Sequence, residues 1–332
     1  AMQVAQRGTS STSVGYHTVD RYYLDTNGVD EAPTQSQADV ASGTSPYTEG
    51  FRKSFKITNG NQTSAGTSDI IVIDYSLEAQ DIANSGWNYT SSSSFVTLSF
   101  WVKSSVAQNF YGRLYSYDGT AQGYAFETGS LSANTWTKVT KTIPGNSNLT
   151  FDDNNAAGLL IELVAFRGTG MTASMTLNQW ASYNSNSRVP DMTSTWYLQN
   201  DATWEVTGLQ LEVGSQATAF EHRSFAEELQ LCKRYYQMFA NTNQDYTGLT
   251  ANYYTGSHME CMVRYEPEIR TAPSLDQGTG TNYFGIYSNN QFDQFNGFGG
   301  INAGDKRAGS INQTSGMSGT AGHAGGLFIN NA

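Results

Sequence analysis

The sequence predicts an all-β protein: a β-sandwich, then a connecting helix, then a smaller C-terminal β domain. Three observations lead there. Short runs of alternating apolar and polar residues recur from Phe51 to Val213, the two-residue period of strands with one buried face. Clusters of Gly, Asn and Ser stand between the runs and reverse the chain. From Ser224 the apolar period lengthens to that of a helix, and after Asn241 alternation returns.

Phe51, Phe55 and Ile57, with Lys53 among them, and then IIVIDY at Ile70 to Tyr75 open the strand series. The run FVTLSFWVKSS carries Val96, Leu98, Phe100 and Val102 on one face and Phe95, Thr97, Ser99 and Trp101 on the other. Apolar groups on both sides predict a strand central in its sheet. NFYGRLYSYDG puts Phe110 and Leu114 on one face and Tyr111, Arg113, Tyr115 and Tyr117 on the other. TWTKVTKTIPG and AGLLIELVAF follow, with Pro144 and Gly145 breaking the chain between them. The last strand of the set alternates Leu209, Leu211 and Val213 with Gln210 and Glu212 and stops at Gly214.

Ser224 precedes Phe225, with Glu227 three residues on. Hydroxyl and carboxylate can then satisfy each other's backbone donors in a capping box, and a helix of about four turns is expected. Phe225, Leu229, Cys232, Tyr236 and Phe239 fall at spacings of 4, 3, 4 and 3, a heptad-like seam, with Leu231, Tyr235 and Met238 beside it. Two readings stay open: a short coiled coil at a three-fold axis, or a helix packed between two domains of one chain. Two heptads are fewer than the roughly three or four that argue for a coiled coil. Beyond the helix, Met259, Cys261, Val263 and Tyr265 alternate with Glu260, Met262 and Arg264, and from Asp276 onward the chain holds 13 of its 33 glycines. That density suits loops between short strands, or a loop-built tip.

Lys plus Arg number 18 against 29 Asp plus Glu, a net charge of −11. This disfavours nucleic acid and anionic bilayers as partners. Charged residues are only 14% of the chain while aromatics reach 13%, with 20 tyrosines, a surface suited to sugar or protein contacts. Cys232 and Cys261 are the only cysteines, too few for a disulfide framework, and two reduced thiols are expected. No apolar run approaches the roughly 18 residues of a membrane span, and the opening residues lack a leader's apolar core. The reading is of a soluble, unsecreted chain.

Catalytic signatures are missing. With four histidines (His17, His222, His258, His323), there is no GxSxG elbow, HExxH, Walker loop or dinucleotide fingerprint, and no carboxylate pair stands out for glycoside hydrolysis. No cofactor is expected. Asp152 and Asp153, beside Asn154 and Asn155, are a weak candidate for a structural calcium, the alternative being a solvated turn. Sugar recognition uses aromatic faces with polar groups at their edges. The candidates are Tyr111, Arg113, Tyr115 and Tyr117 on one strand face, Trp180 and Tyr183 in NQWASYNSNS, and Trp196 and Tyr197 in STWYLQN. The last four lie in polar loops where large rings have no evident core to enter. The alternative is that these rings meet another chain of an oligomer or line the second sheet.

The stretch VTGLQLEVGSQATAFEHRSFAEELQLCKRYY, from Val206 to Tyr236, closely resembles a segment recurring in tail-fibre and other virion structural proteins of tailed bacteriophages, marine ones especially. There it closes a jelly roll like that of carbohydrate-binding modules. SANTWTKVTKTIPG followed by FDDNNAAGLLIEL is similar to the same family, as is the opening AMQVAQRGTSSTSVGYHTVDRYYLD, so the resemblance covers roughly Met2 to Tyr236; ECMVRYEPEIRTAPSL resembles the downstream part less specifically. The resemblance implies a jelly-roll domain over 1–222, a connecting helix over 223–240 and a Gly-rich β domain over 241–332. It places His222, in FEHRSF, in the turn joining sandwich to helix. It implies a non-enzymatic fibre or appendage of the virion, a homotrimer bound to other virion proteins, that contacts host cell-surface polysaccharide. A capsid or tail decoration protein with no glycan ligand, or a polysaccharide depolymerase, are the alternatives. The opening matches the interior of the pattern, so Ala1 is not expected to be the natural start, and a preceding segment would hold an attachment element.

Overall fold

The computed structural model describes residues 2–240 and 246–330. The fold is all-β, with two compact units: one runs to Glu228, the other starts at Leu229. Ala1 and the expected boundary at Asn241 lie outside the described residues.

The first unit is a jelly-roll β-sandwich. Its strands are β1 (Ser10–Ser11), β2 (Tyr22–Asn27), β3 (Thr34–Asp39), β4 (Lys53–Thr58), β5 (Ile70–Glu78), β6 (Phe95–Ser104), β7 (Gln108–Ser116), β8 (Gln122–Leu131), β9 (Thr137–Pro144), β10 (Ala157–Arg167), β11 (Trp180–Ser182) and β12 (Thr203–Val213). Short helices α1 (Ser45–Thr48) and α2 (Ala79–Ala83) interrupt them. One sheet runs β1-β3-β4-β12-β6-β9 and the other β11-β8-β7-β10-β5-β2, all pairs antiparallel. Alternation does what its period dictates. Phe55, Leu98, Phe100 and Val206 of the first sheet meet Ile73, Phe110, Leu114 and Ile161 of the second in one buried cluster.

β6 is buried on both faces and flanked by β12 and β9, so it is interior but one place from the edge. Its second face is covered because Trp101 packs with Val40 and Phe51, and its Nε1 donates to Glu49 Oε2 at 3.0 Å. In β12 the register against β6 shifts between Thr207 and Gln210, where Gly208 has φ +64°. A Cβ there would stand 2.6 Å from the buried Phe51 ring. Gly208→Ala therefore adds left-handed backbone strain to a steric clash. It should lower stability by about 1–3 kcal/mol, read as a shift of the urea midpoint at unchanged slope. Val213, expected inward, is exposed at the strand's end.

The capping box forms as expected. Ser224 N donates to Glu227 Oε2 at 2.8 Å, and Glu227 N donates to Ser224 Oγ at 3.3 Å. The helix, α3 (Phe225–Lys233), is shorter than the four turns expected. Its end is drawn elsewhere: Gln237 Nε2 donates to the carbonyls of Lys233 and Pro267, and Arg270 N donates to Arg234 O. Of the carbonyls at the helix end, that of Lys233 is thus met by the Gln237 side chain and that of Arg234 by a backbone donor from another segment. Tyr236 and Phe239 fall outside α3, so the five-residue seam of Phe225, Leu229, Cys232, Tyr236 and Phe239 is not a helical stripe. Cys232 is buried, Leu229 half-buried and Phe225 exposed. The connecting helix of 223–240 is corrected accordingly.

The second unit is one seven-stranded sheet in the order β16-β15-β19-β13-β14-β18-β17. Its strands are β13 (Tyr246–Tyr253), β14 (Met259–Arg264), β15 (Phe284–Ser288), β16 (Gln291–Phe295), β17 (Gly300–Gly304), β18 (Ala308–Gln313) and β19 (Ala324–Ile329). Met259, Cys261 and Val263 are buried, as their alternation requires, while Met262 is exposed. Both cysteines are free thiols, and burial pushes Cys261 up to about 11.

Candidate functional site

Sequence alternation on β7 turns Phe110 and Leu114 into the sandwich and Tyr111, Arg113 and Tyr115 out from the second sheet. Register then sets a row across that outer face. Arg113 pairs with Glu162 of β10, Glu162 with Asp74 of β5, and Asp74 with Tyr23 of β2.

At the centre of the row, ionic groups are taken out of water. Arg113 Nε and Nη2 reach the two oxygens of Glu162 at 2.9 and 3.0 Å, and Arg167 Nη2 reaches Oε1 at 2.7 Å. All three residues are at most 5% exposed. Burial opposes charge on Glu162, but the two guanidiniums outweigh it and hold the carboxyl down to about 2. Asp74 goes the other way: burial first, then the charges of Glu162 and Asp25, raise it well above the usual carboxylate value. Asp74 Oδ1, Arg113 Nη1 and Arg167 Nε are buried without a hydrogen-bond partner.

Three tyrosines stand beside this cluster. The Tyr115 ring meets Tyr117 at 4.8 Å and Tyr183 at 4.7 Å between centroids, both edge to face. The Arg113 guanidinium lies 5.2 Å from the Tyr115 ring centroid and 5.4 Å from that of Tyr183. Tyr117 is 44% exposed, and partial burial with Asp74 nearby pushes its hydroxyl up to about 12. Tyr16 and Tyr23 form another edge-to-face pair, at 5.0 Å, on the β2 side. Rings fixed this way, with charged and hydroxyl groups between them, can stack on the apolar side of a sugar and direct its hydroxyls.

The structure thus brings together Arg113, Tyr115, Tyr117 and Tyr183 of the expected set. Tyr111 shares their strand face but is half-buried against Val72, Val164 and Val189, where the chain after Tyr183 crosses the sheet. Three rings are corrected, because the segments holding them fold into the sandwich. Trp180 is buried and its Nε1 donates to Pro144 O at 2.7 Å. Trp196 is fully buried and donates to Thr203 O at 3.0 Å. Tyr197 is fully buried, stacks on Phe166 at 3.9 Å and donates to Asp69. Glu162, Asp74 and Arg167 were missed, although single charges inside the apolar runs AGLLIELVAFR and IIVIDY are a signal for buried ionic groups.

Asp152 and Asp153 lie on an exposed turn where Asn154 and Asn84 donate to them. Among the described residues no group of three His, Cys, Asp or Glu is placed to hold a metal. His222 bonds Glu49 O through Nε2 at 2.7 Å and packs on Phe51 and Phe220, tying the segment after β12 to the end of α1. Among the described residues no helix is long and apolar enough to cross a membrane.

No protein-family model and no curated protein matches the sequence. Solved structures similar to it include the enzymatically active domain of bacteriophage CBA120 tailspike protein 4, at 9% identity and TM-score 0.31 over 58% of this chain. The match spans 19% of that tailspike. The N-terminal cellulose-binding domain of Cellulomonas fimi β-1,4-glucanase C matches at 11% identity and TM-score 0.30, over 64% of this chain and 100% of its own. The family 11 carbohydrate-binding module of Clostridium thermocellum, in complex with a β-1,3-1,4-mixed-linked tetrasaccharide, matches at 13% identity and TM-score 0.28, over 63% and 98%.

Proposed function

We propose that this protein binds carbohydrate on the outer face of its second sheet, without catalysis, as a fibre or appendage of a tailed-phage particle. The observation that carries the binding is the edge-to-face group of Tyr115, Tyr117 and Tyr183 beside the buried Arg113–Glu162–Arg167 cluster. Its rings are held in place before a ligand arrives, which lowers the ordering cost of binding. Glu162 is closed in by two guanidiniums, which favours a structural carboxylate over a hydrolytic one. The virion assignment is supported by the Val206 to Tyr236 segment and its phage resemblance. In this reading the ligand is host surface polysaccharide, and a homotrimer attached to other virion proteins multiplies weak single-site binding into avidity.

The test is adsorption of the labelled protein to bacterial cells with intact or stripped surface polysaccharide, alongside its mass in solution. Saturable binding by a trimer, lost on stripping, is the expected result. Tyr183→Ala and Tyr115→Ala should each weaken adsorption at least about 10-fold while leaving the unfolding transition cooperative. Binding to bare phage particles and to no cell would instead identify a decoration protein, and turnover of purified polysaccharide a depolymerase.

A further inference from the structure

Arg188 lies in the segment that crosses the second sheet after Tyr183. It is half-buried, and its Nε donates to Ser185 O at 3.0 Å. Among the described residues it forms no ion pair, and its two Nη groups make no hydrogen bond. The guanidinium is 5.9 Å from the Tyr183 ring centroid, and that of Arg113 is 5.4 Å from the same centroid. Arg113 Nη1, on a side chain almost wholly buried, has no acceptor. Two cations therefore flank one ring, one of them without a counter-ion.

The carboxylates around Arg188 are engaged by other groups or stand apart from it. Burial and the repulsion of Arg167 and Arg113 push Arg188 below the usual guanidinium value. Glu162 is shared by Arg113 and Arg167, and Asp25, also raised by burial, forms no ion pair with Arg188. The chain's net charge of −11 repels polyanions at a distance, but that repulsion is screened beyond about 8 Å at physiological salt, leaving contact chemistry to decide.

We propose that the glycan taken by this face is anionic, its carboxylate or sulfate seated on the free Nη groups of Arg188 while the sugar lies against Tyr183. The inference rests on the carbohydrate-binding reading of the face. A planar guanidinium suits both anions, and an anion supplies the counter-charge the fold leaves out.

Calorimetric titration of the full chain tests it with two matched pairs. One is a hexuronic acid oligomer and the same oligomer with its carboxyls reduced to alcohols; the other is a sulfated galactan oligomer and its desulfated form. One acidic member should bind at least about 10-fold more tightly than its neutral twin, and which one does so separates carboxylate from sulfate. Arg188→Gln should erase that preference and leave the neutral twin within about twofold. Equal binding of acidic and neutral twins, both lost in Tyr183→Ala, overturns the anionic ligand and keeps the binding face. A preference that survives Arg188→Gln overturns the seat at Arg188. If none of the four probes binds, the anionic inference falls, and cell adsorption decides separately whether the face binds sugar at all.

Discussion

Glu162→Gln should lower stability by about 3–5 kcal/mol, because it removes the charge that two buried guanidiniums share and strands both in a low-dielectric site. Urea unfolding of the whole chain reads this directly. If the variant unfolds within about 0.5 kcal/mol of the wild type, the cluster is solvated and the account of the face is wrong. Replacing all three members by apolar residues of similar size should cost far less than the single change, since no charge is then left without a partner. The pH dependence carries two opposite signs. Glu162 is held down to about 2 from 4.5, so its contribution is full above 4.5 and is lost as pH falls through the folded value. Asp74 is raised, so its contribution is full below 3.8 and is lost as pH climbs through its folded value. Asp74→Asn should therefore unfold at higher urea than the wild type on the alkaline side and show a flatter profile there.

Trp196→Ala should cost about 3–5 kcal/mol, the scale for emptying an aromatic site in a packed core. Trp196 is fully buried, lies 6.4 Å from Phe110 between ring centroids, and donates its indole N–H to Thr203 O. A cooperative transition at markedly lower urea, with sugar or cell binding retained by the fraction that stays folded, is expected. The contrast with Tyr183→Ala is informative, since that change should alter binding and leave stability nearly untouched. A Trp196→Ala protein as stable as the wild type would return this ring to the surface.

Sequence alternation was sufficient for strands such as β6, β7 and β12, because a two-residue period with one buried face is a local property. It placed Phe110 and Leu114 inward and Arg113 and Tyr115 outward on β7. The capping box at Ser224 and Glu227 was equally legible, since both partners lie within one turn. What failed depended on contacts distant in sequence. Trp196 and Tyr197 stand among polar neighbours, yet Thr203, Asp69 and Phe166 supply the partners that let them enter the core. The carbonyls at the end of α3 are met by the Gln237 side chain and by Arg270 N, which no helical period reveals. Glu162 appears as one acid in an apolar run, and only the register of β10 against β7 shows that Arg113 stands opposite it.

The division of β7 into two faces also bears on how such a protein changes over generations. Phe110 and Leu114 serve folding, while Tyr115 and the neighbouring Tyr117 stand outside the core they support. Exchanging an outward ring alters the surface without reopening the interior. Single substitutions of those outward rings can thus remodel the face at little cost to the core.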